Sequence, residues 1–149
     1  RALGSRSILA NPKIKNIKNI LNLKIKYRED YRPFAPSILE EDLKEYFNLS
    51  EELEYMTFTL KVNNSLKKKI PEAVHFDNTS RIHLVKKKSN PVFFYLLKNF
   101  KKEIGIGCVI NTSFNINNEP IVNSPLDAIK TFFSSGIDVL YLNNIKISK

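Results

Sequence analysis

The chain has 149 residues, of which 42% are hydrophobic, and a formal net charge of +9. This length and apolar fraction suffice for one domain with a hydrophobic core and argue against intrinsic disorder. The sequence has no apolar run as long as a membrane span, no secretory signal pattern, and a single cysteine, Cys108, which excludes an internal disulfide. We therefore expect a cytoplasmic protein that makes no membrane contact.

The positive charge favours an anionic partner. Many lysines stand singly or in runs that are typical of a surface, such as Lys67–Lys69 and Lys86–Lys88, and the whole sequence is rich in Lys, Asn and Ile. The charge therefore indicates a small anion such as a phosphate more than it indicates RNA or DNA, and nucleic acid is not the expected partner.

The first residues contain two arginines close to a serine. Arg6 and Ser7 follow Gly4, whose flexibility permits a tight turn, and such a group could hold a phosphate. By composition alone, a solvated basic terminus is the better interpretation. The start at Arg1 without an initiator methionine predicts a fragment or a processed piece of a longer protein.

The next segment predicts an amphipathic helix over about 13–23, followed by a strand. Lys24, Lys26 and Arg28 alternate with Ile25 and Tyr27, and in a strand this period of two would place three cations on one face. Such a face suits phosphate or carboxylate, and Arg32 follows it. The alternative is a solvated edge strand, in which lysines discourage aggregation.

The middle of the chain predicts alternating strands and helices. The expected elements are an extended segment over 34–39, a helix over 40–48, a strand over 55–62, a short basic turn of helix or loop over 67–70 and a strand over 81–85. In the last strand Arg81 and His83 would share a face. His75, Asp77 and His83 follow no recognised metal-ligand spacing, and no serine lies in a nucleophile elbow, so neither a metal site nor a catalytic triad is expected.

The last third predicts two core helices and three strands. The first helix spans 91–102 with a cap at Ser89 or Asn90, and the second begins at Ser124 and ends near Ser135. The strands are 108–110, 139–142 and 145–147, the last two joined by an Asn-Asn turn. The helix positions expected to face inward are Val92, Phe93, Leu96, Leu97, Phe100, Leu126, Ile129, Phe132 and Phe133.

Polar residues crowd directly after the apolar strand at Cys108. Ser113 and Asn115 lie between this strand and the helix at Ser124, and ligands of open α/β sheets bind at such carboxyl ends of strands. Either residue alone is better explained as a turn former. The two together, after so apolar a strand, indicate a ligand site.

Several segments in fixed order over essentially the whole chain resemble those of one known family. They are Arg1–Ala10, Asn22–Glu29, Tyr31–Leu39, His75–Arg81, Asn111–Asn115 and Glu119–Ile121. The chain resembles the C-terminal domain of the NodU/CmcH-type O-carbamoyltransferases. The resemblance implies a single YrdC-like α/β domain over 1–149, with a twisted mixed β-sheet flanked by helices. It also implies an N-terminal metal-binding, actin-like domain outside this chain.

The resemblance implies a chemistry as well. Lys26-Tyr27-Arg28 looks like the Lys-x-Arg motif of the YrdC-like superfamily, and Ser113-Phe114-Asn115 looks like its Ser-x-Asn motif. The family's C-terminal domain is understood to form carbamoyl adenylate from carbamoyl phosphate and ATP, before the other domain transfers the carbamoyl group to a hydroxyl. Mg²⁺ is then expected on the phosphates, with any catalytic iron or other metal in the missing domain. Lys26, Arg28, Ser113 and Asn115 become the catalytic candidates, and the candidates for substrate and nucleotide binding are Arg6, Ser7, Arg32, Arg81 and Thr112.

The chain departs from the family pattern at two positions, and two other functions stay open. Asn78 stands where glycine is usual, and His83 stands where glutamine is usual. A YrdC-like protein of tRNA threonylcarbamoyladenosine formation, or an RNA-binding protein, is one alternative. A module that only packs on the missing domain is the other.

Overall fold

The computed structural model describes residues 2–47 and 53–149 of the chain. Its strands are β1 (Ser7–Ala10), β2 (Ala35–Leu39), β3 (Thr59–Lys61), β4 (Thr79–Arg81), β5 (His83–Val85), β6 (Cys108–Ser113), β7 (Val139–Leu142) and β8 (Ile145–Ser148). Its α-helices are α1 (Ile17–Asn19), α2 (Leu43–Tyr46), α3 (Asn64–Lys69), α4 (Pro91–Ile104) and α5 (Pro125–Phe133). A π-helical segment, Ile20–Ile25, extends α1, and short 3₁₀ turns lie at Glu40–Asp42 and Pro71–Ala73.

A mixed sheet of four strands organises the described residues, in the order β1-β6-β2-β5. Strand β6 pairs antiparallel with both β1 and β2, whereas β2 pairs parallel with β5. The apolar residues of β6, such as Cys108 and Ile110, are fully buried because strands cover both its edges and helices cover its faces. Two further sheets of two strands each, β3-β4 and β7-β8, flank this core. The expected α/β class, with a mixed sheet flanked by helices, is confirmed.

Local sequence signals predicted several elements correctly. Helix α5 begins after Ser124 with a capping box, in which the Ser124 and Asp127 side chains exchange bonds with each other's backbone N–H. Asn90 caps α4, its side chain accepting a hydrogen bond from the backbone of Phe93. The β7-β8 hairpin turns at Asn143, which adopts a positive φ of 53° that asparagine tolerates.

The strand predicted over 24–28 is wrong. Ile17, Leu21 and Ile25 recur every four residues and are all buried, so the helical path continues to Ile25 and places this row in the core. Ile25 and Lys26 are both buried, although alternation would have put them on opposite faces. Tyr27 then reverses the chain with a φ of 48°.

Other boundaries and faces also differ from the prediction. The strand expected over 81–85 is divided into β4 and β5, which belong to different sheets, and its residues from Ile82 to Val85 are all buried. The strand expected over 55–62 is limited to β3. The helix expected over 40–48 is a 3₁₀ turn followed by α2, and its residue 48 lies outside the described residues. Four side chains that were expected to face inward are exposed: Val92, Leu96, Leu126 and Phe133.

No helix within 2–47 or 53–149 is both long enough and apolar enough to cross a membrane.

Candidate functional site

A cleft of about 400 Å³ lies beside the last residues of β6. Two of its lining residues are arginines, Arg28 and Arg81, and the polar residues Thr112 and Ser113 come from β6. No carboxylate is among the described residues that line it. The remaining lining residues are Ala2, Leu3, Pro33, Phe34, Ala35, Tyr55, Met56, Asn111 and Ile121. A cleft with this lining is suited to an anion that carries an apolar or planar group.

Lys26 joins the Lys-x-Arg segment to the turn after β6. Its Nζ lies 2.9 Å from the carbonyl oxygen of Ser113 and 2.7 Å from that of Asn115. It also lies 2.6 Å from Asn115 Oδ1 and 3.3 Å from Ser113 Oγ, and the Ser113 hydroxyl donates to that same Oδ1 at 2.6 Å. An ammonium has three N–H donors, so these oxygens occupy all of them. Lys26 therefore fixes the shape of the Ser-x-Asn turn.

Burial perturbs the Lys26 ammonium. Loss of solvent, together with the positive charge of Arg28, lowers the pKa of Lys26 to about 8. All the oxygens that contact it are neutral, so no carboxylate compensates its charge there. The site consequently holds net positive charge at neutral pH.

Asn22 holds the guanidinium of Arg28 in place. Arg28 Nε donates to Asn22 Oδ1 at 2.7 Å, and the Arg28 guanidinium carbon lies 4.6 Å from the centre of the Phe34 ring. The Asn22 amide nitrogen donates to the carbonyl oxygens of Asp30 and Arg32, at 3.1 and 3.0 Å. Asn22 is fully buried and uses both the oxygen and the nitrogen of its amide. It therefore connects the π-helical segment to the following loop and orients the guanidinium of Arg28.

Arg28 is the guanidinium best prepared for a ligand. Its Nε is engaged by Asn22, while its terminal nitrogens make no hydrogen bond to any residue in the described ranges. Partial burial and the charge of Arg32 lower the pKa of Arg28, and Glu29 opposes this shift. A planar group with two free terminal nitrogens in a cleft can bind a phosphate or a carboxylate through two hydrogen bonds.

Asn111 is a site residue that the sequence reasoning missed. It lines the cleft and is buried, its Nδ2 donates to Ser37 Oγ at 2.8 Å, and Ser37 Oγ lies 2.8 Å from His83 Nδ1. Its Oδ1 is buried and has no hydrogen-bond partner among the described residues. A buried acceptor without a donor costs about 1–3 kcal/mol, so a ligand donor at this position would be favoured. The available signal was its place two residues before Ser113, on the same face of the strand.

The structure brings some of the sequence-predicted residues together and leaves others apart. Lys26, Ser113 and Asn115 form one hydrogen-bonded unit, and Arg28, Arg81, Thr112 and Ser113 line one cleft. Arg6 instead donates to the carbonyl oxygen of Val122, and Arg32 forms an exposed ion pair with Glu29. The Ser7 hydroxyl accepts a hydrogen bond from the backbone of Gly4 and shapes the turn that brings Ala2 and Leu3 to the cleft. The phosphate-binding roles expected for Arg6, Ser7 and Arg32 stay predictions.

Carboxylates neutralise part of the basic surface. Lys69, Lys86 and Lys98 each form an ion pair with a glutamate, and Lys101 pairs with the buried Asp42. These ion pairs involve one lysine from each of the two lysine runs, Lys69 and Lys86. Within the described ranges, no group of three or more His, Cys, Asp or Glu side chains could hold a metal ion.

Comparison with known proteins gives a consistent result. The model of a family described as carbamoyltransferase C-terminus matches residues 1–149. Nodulation protein NolO of Bradyrhizobium diazoefficiens is 41% identical over 152 residues, which cover 100% of this chain and 28% of NolO. The 3'-hydroxymethylcephem-O-carbamoyltransferase of Amycolatopsis lactamdurans is 37% identical over 137 residues, or 92% of this chain and 26% of that protein.

Nodulation protein U of Rhizobium tropici is 37% identical over 117 residues, which cover 78% of this chain and 20% of that protein. The chain thus spans about a quarter of the length of the curated relatives that it matches.

Proposed function

The chain belongs to the carbamoyltransferase C-terminus family, and from this premise we propose that it forms carbamoyl adenylate from carbamoyl phosphate and ATP. Water would first cleave carbamoyl phosphate to carbamate and inorganic phosphate. A carbamate oxygen would then bond to the α-phosphorus of ATP, and pyrophosphate would leave. The carbamoyl group would then pass from the adenylate to the hydroxyl oxygen of a small molecule bound in an N-terminal partner domain, with AMP leaving and the hydroxyl proton released. Any catalytic iron would lie in that domain. A named O-carbamoyltransferase among the relatives supports this assignment.

The observation that carries the proposal is the pair of guanidinium groups in a cleft without carboxylates. Arg28 and Arg81 line it together, and Lys26 adds a buried positive charge nearby. Both proposed steps move negative charge between phosphoryl and carboxyl oxygens, and cations held in position stabilise such charge. The volume of about 400 Å³ is within the usual range for a small-molecule site.

Arg28 and Arg81 would then be the groups that contact phosphate oxygens. The Ser113 hydroxyl, which is held by Lys26 and Asn115, and the Thr112 side chain would add neutral polar contacts at the end of β6. The N–H donors of Lys26 already have protein partners, so its role would be to hold the turn and to supply positive potential.

Asn111 suits the carbamoyl group. The unpartnered Oδ1 of Asn111 needs a donor, and a carbamoyl group carries an NH₂ where an acetyl group carries only a methyl. A hydrogen bond from this NH₂ would distinguish carbamoyl phosphate from similar acyl phosphates, since a buried polar group discriminates strongly against an analogue that leaves it unpaired.

Magnesium would accompany the nucleotide. The described residues include no acidic cluster for a metal, and the cleft lining is cationic or neutral. This lining does not fit a protein-held cation, so Mg²⁺ would be held by phosphate oxygens and water.

An isotope-exchange assay tests the proposal. The purified protein, as this chain and within the longer enzyme proposed here, is incubated with ATP and labelled pyrophosphate. The expected result is exchange of label into ATP that requires carbamoyl phosphate. Exchange that does not depend on carbamoyl phosphate, or no exchange in either form, would overturn the proposal.

A further inference from the structure

Three buried polar side chains form a row across the central sheet. His83 on β5, Ser37 on β2 and Asn111 on β6 are almost completely shielded from solvent. His83 Nδ1 lies 2.8 Å from Ser37 Oγ, which in turn lies 2.8 Å from Asn111 Nδ2. The row therefore runs from β5 to the wall of the cleft, where Asn111 is a lining residue.

The orientation of the Asn111 amide sets the direction of this row. The amide of Asn111 donates to Ser37 Oγ, so the Ser37 hydroxyl hydrogen remains for one further bond. Its near acceptor is His83 Nδ1, which must then be unprotonated, with the ring proton on Nε2. Every bond thus points from Asn111 to His83, and Asn111 Oδ1 is left without a donor.

The reverse direction is the competing arrangement. If His83 carried its proton on Nδ1, it would donate to Ser37 Oγ, and the serine would donate to Asn111. The carboxamide of Asn111 would then turn so that its oxygen faced Ser37 and its NH₂ faced away. The tautomer of His83 and the hydrogen-bonding character of Asn111 toward the cleft are therefore coupled through Ser37.

The surroundings favour the first direction. Arg28 and Arg81 line the same cleft as Asn111, and their positive charge favours a carbonyl oxygen rather than an NH₂ as the free end of the Asn111 amide. Burial keeps His83 neutral by lowering its pKa to about 4, against the opposing effect of the Glu54 carboxylate, which is itself paired with Lys86. The Phe93 ring, with its centre 5.8 Å from that of the imidazole, adds an apolar neighbour.

We infer that His83, acting through Ser37, is a positioning residue that makes Asn111 an acceptor toward the ligand. The binding consequence rests on the proposed function, because it takes the carbamoyl NH₂ as the donor. The proton placement on His83 does not depend on that function.

Nitrogen-15 NMR of the chain, with its histidines labelled, tests which ring nitrogen of His83 carries the proton. The chain has 2 histidines, and His75 serves as the internal standard with the opposite tautomer. The Thr79 hydroxyl donates to Asp77 at 2.6 Å, so His75 Nδ1, 3.0 Å from that hydroxyl, must be the donor. At pH 8 the expected spectrum shows His83 protonated on Nε2 and His75 protonated on Nδ1. Protonation of His83 on Nδ1 would overturn the inference.

Ligand discrimination tests the consequence. The dissociation constants of carbamoyl phosphate, acetyl phosphate and inorganic phosphate are measured by calorimetry for the unmodified chain, His83→Gln, His83→Leu and His75→Leu. Glutamine can offer an acceptor to Ser37, whereas leucine cannot. We expect His83→Leu to reduce the preference for carbamoyl over acetyl phosphate by about tenfold, the scale of one hydrogen bond. His83→Gln and His75→Leu should retain the preference.

The outcomes separate the two proposals. Binding of inorganic phosphate that is equal in all four proteins, with the preference lost only in His83→Leu, supports the inference. An unchanged preference in a folded His83→Leu overturns it. Absence of carbamoyl phosphate binding in the unmodified chain overturns the proposed function, while the NMR result still decides the tautomer.

Discussion

Lys26 Nζ lies 2.6 Å from Asn115 Oδ1, although the two residues are 89 positions apart in the chain. The same oxygen accepts a hydrogen bond from the Ser113 hydroxyl. The ammonium therefore bonds both ends of the Ser-x-Asn turn at once. The Lys-x-Arg and Ser-x-Asn motifs, which the sequence suggested separately, are joined by these hydrogen bonds in the fold. The oxygens that contact the Lys26 ammonium are all neutral.

Removal of this ammonium should loosen the turn. In Lys26→Met the Ser113 and Asn115 oxygens lose their shared donor inside a buried site, and we expect the free energy of unfolding to fall by about 2 kcal/mol or more. Urea unfolding measures this change. Lys24→Met is the matched control, because the Lys24 side chain is exposed only two positions away. Equal stability of the two variants would contradict the role of Lys26 as a clamp.

Asn22→Ala should weaken ligand binding without removing any group from the cleft. The substitution takes away the oxygen that orients Arg28 and the donor that holds the carbonyl groups of Asp30 and Arg32. We expect the affinity for inorganic phosphate to fall by about tenfold, with a loss of stability of about 1–3 kcal/mol.

Calorimetry and urea unfolding measure these two effects. Asn19→Ala is the control, because Asn19 is exposed and its side chain caps nothing. If Asn22→Ala bound phosphate as tightly as Asn19→Ala, the aiming of Arg28 by Asn22 would be refuted.

Arg28→Lys and Arg32→Lys should differ sharply. A lysine at 28 keeps a positive charge but loses the planar guanidinium in the cleft and the bond to Asn22, so the affinity for carbamoyl phosphate should fall by about tenfold or more. Arg32 forms an exposed ion pair with Glu29 outside the cleft lining, and such a pair contributes little. Calorimetric titration with carbamoyl phosphate compares the two variants, and a larger loss in Arg32→Lys would reverse our assignment.

The buried His83 should make folding sensitive to acid. Its pKa of about 4 in the fold lies below the ordinary value of 6.5, so the unfolded chain binds a proton that the folded chain does not as pH falls between these values. The free energy of unfolding should therefore decrease over this range, on the order of 3 kcal/mol from this residue.

Urea unfolding between pH 7 and pH 4 should show a steeper decline in the free energy of unfolding for the unmodified chain than for His83→Gln. The remaining titratable groups are the same in both proteins and affect both alike. Parallel curves would mean that His83 is not held neutral in the fold.

Local patterns in the sequence were sufficient for elements whose stability is local. The capping box at Ser124, the asparagine turn of the β7-β8 hairpin and the apolar run that opens β6 each carry their own hydrogen bonds or burial within a few residues. The pairing of a Lys-x-Arg segment with a Ser-x-Asn turn was also predictable, as a hypothesis from family resemblance.

The tertiary structure alone decided the rest. The alternation over 24–28 resembled a strand, but burial of Ile25 against the core extended the helical path and put Lys26 inside. The role of Asn22 depends on its closeness to the Arg28 guanidinium, and the role of Asn111 depends on a buried oxygen that lacks a donor. The periodicity of the sequence indicates neither of these. Sheet register and packing between distant segments set these distances, because a hydrogen bond needs its partners within about 3 Å whatever their separation in sequence.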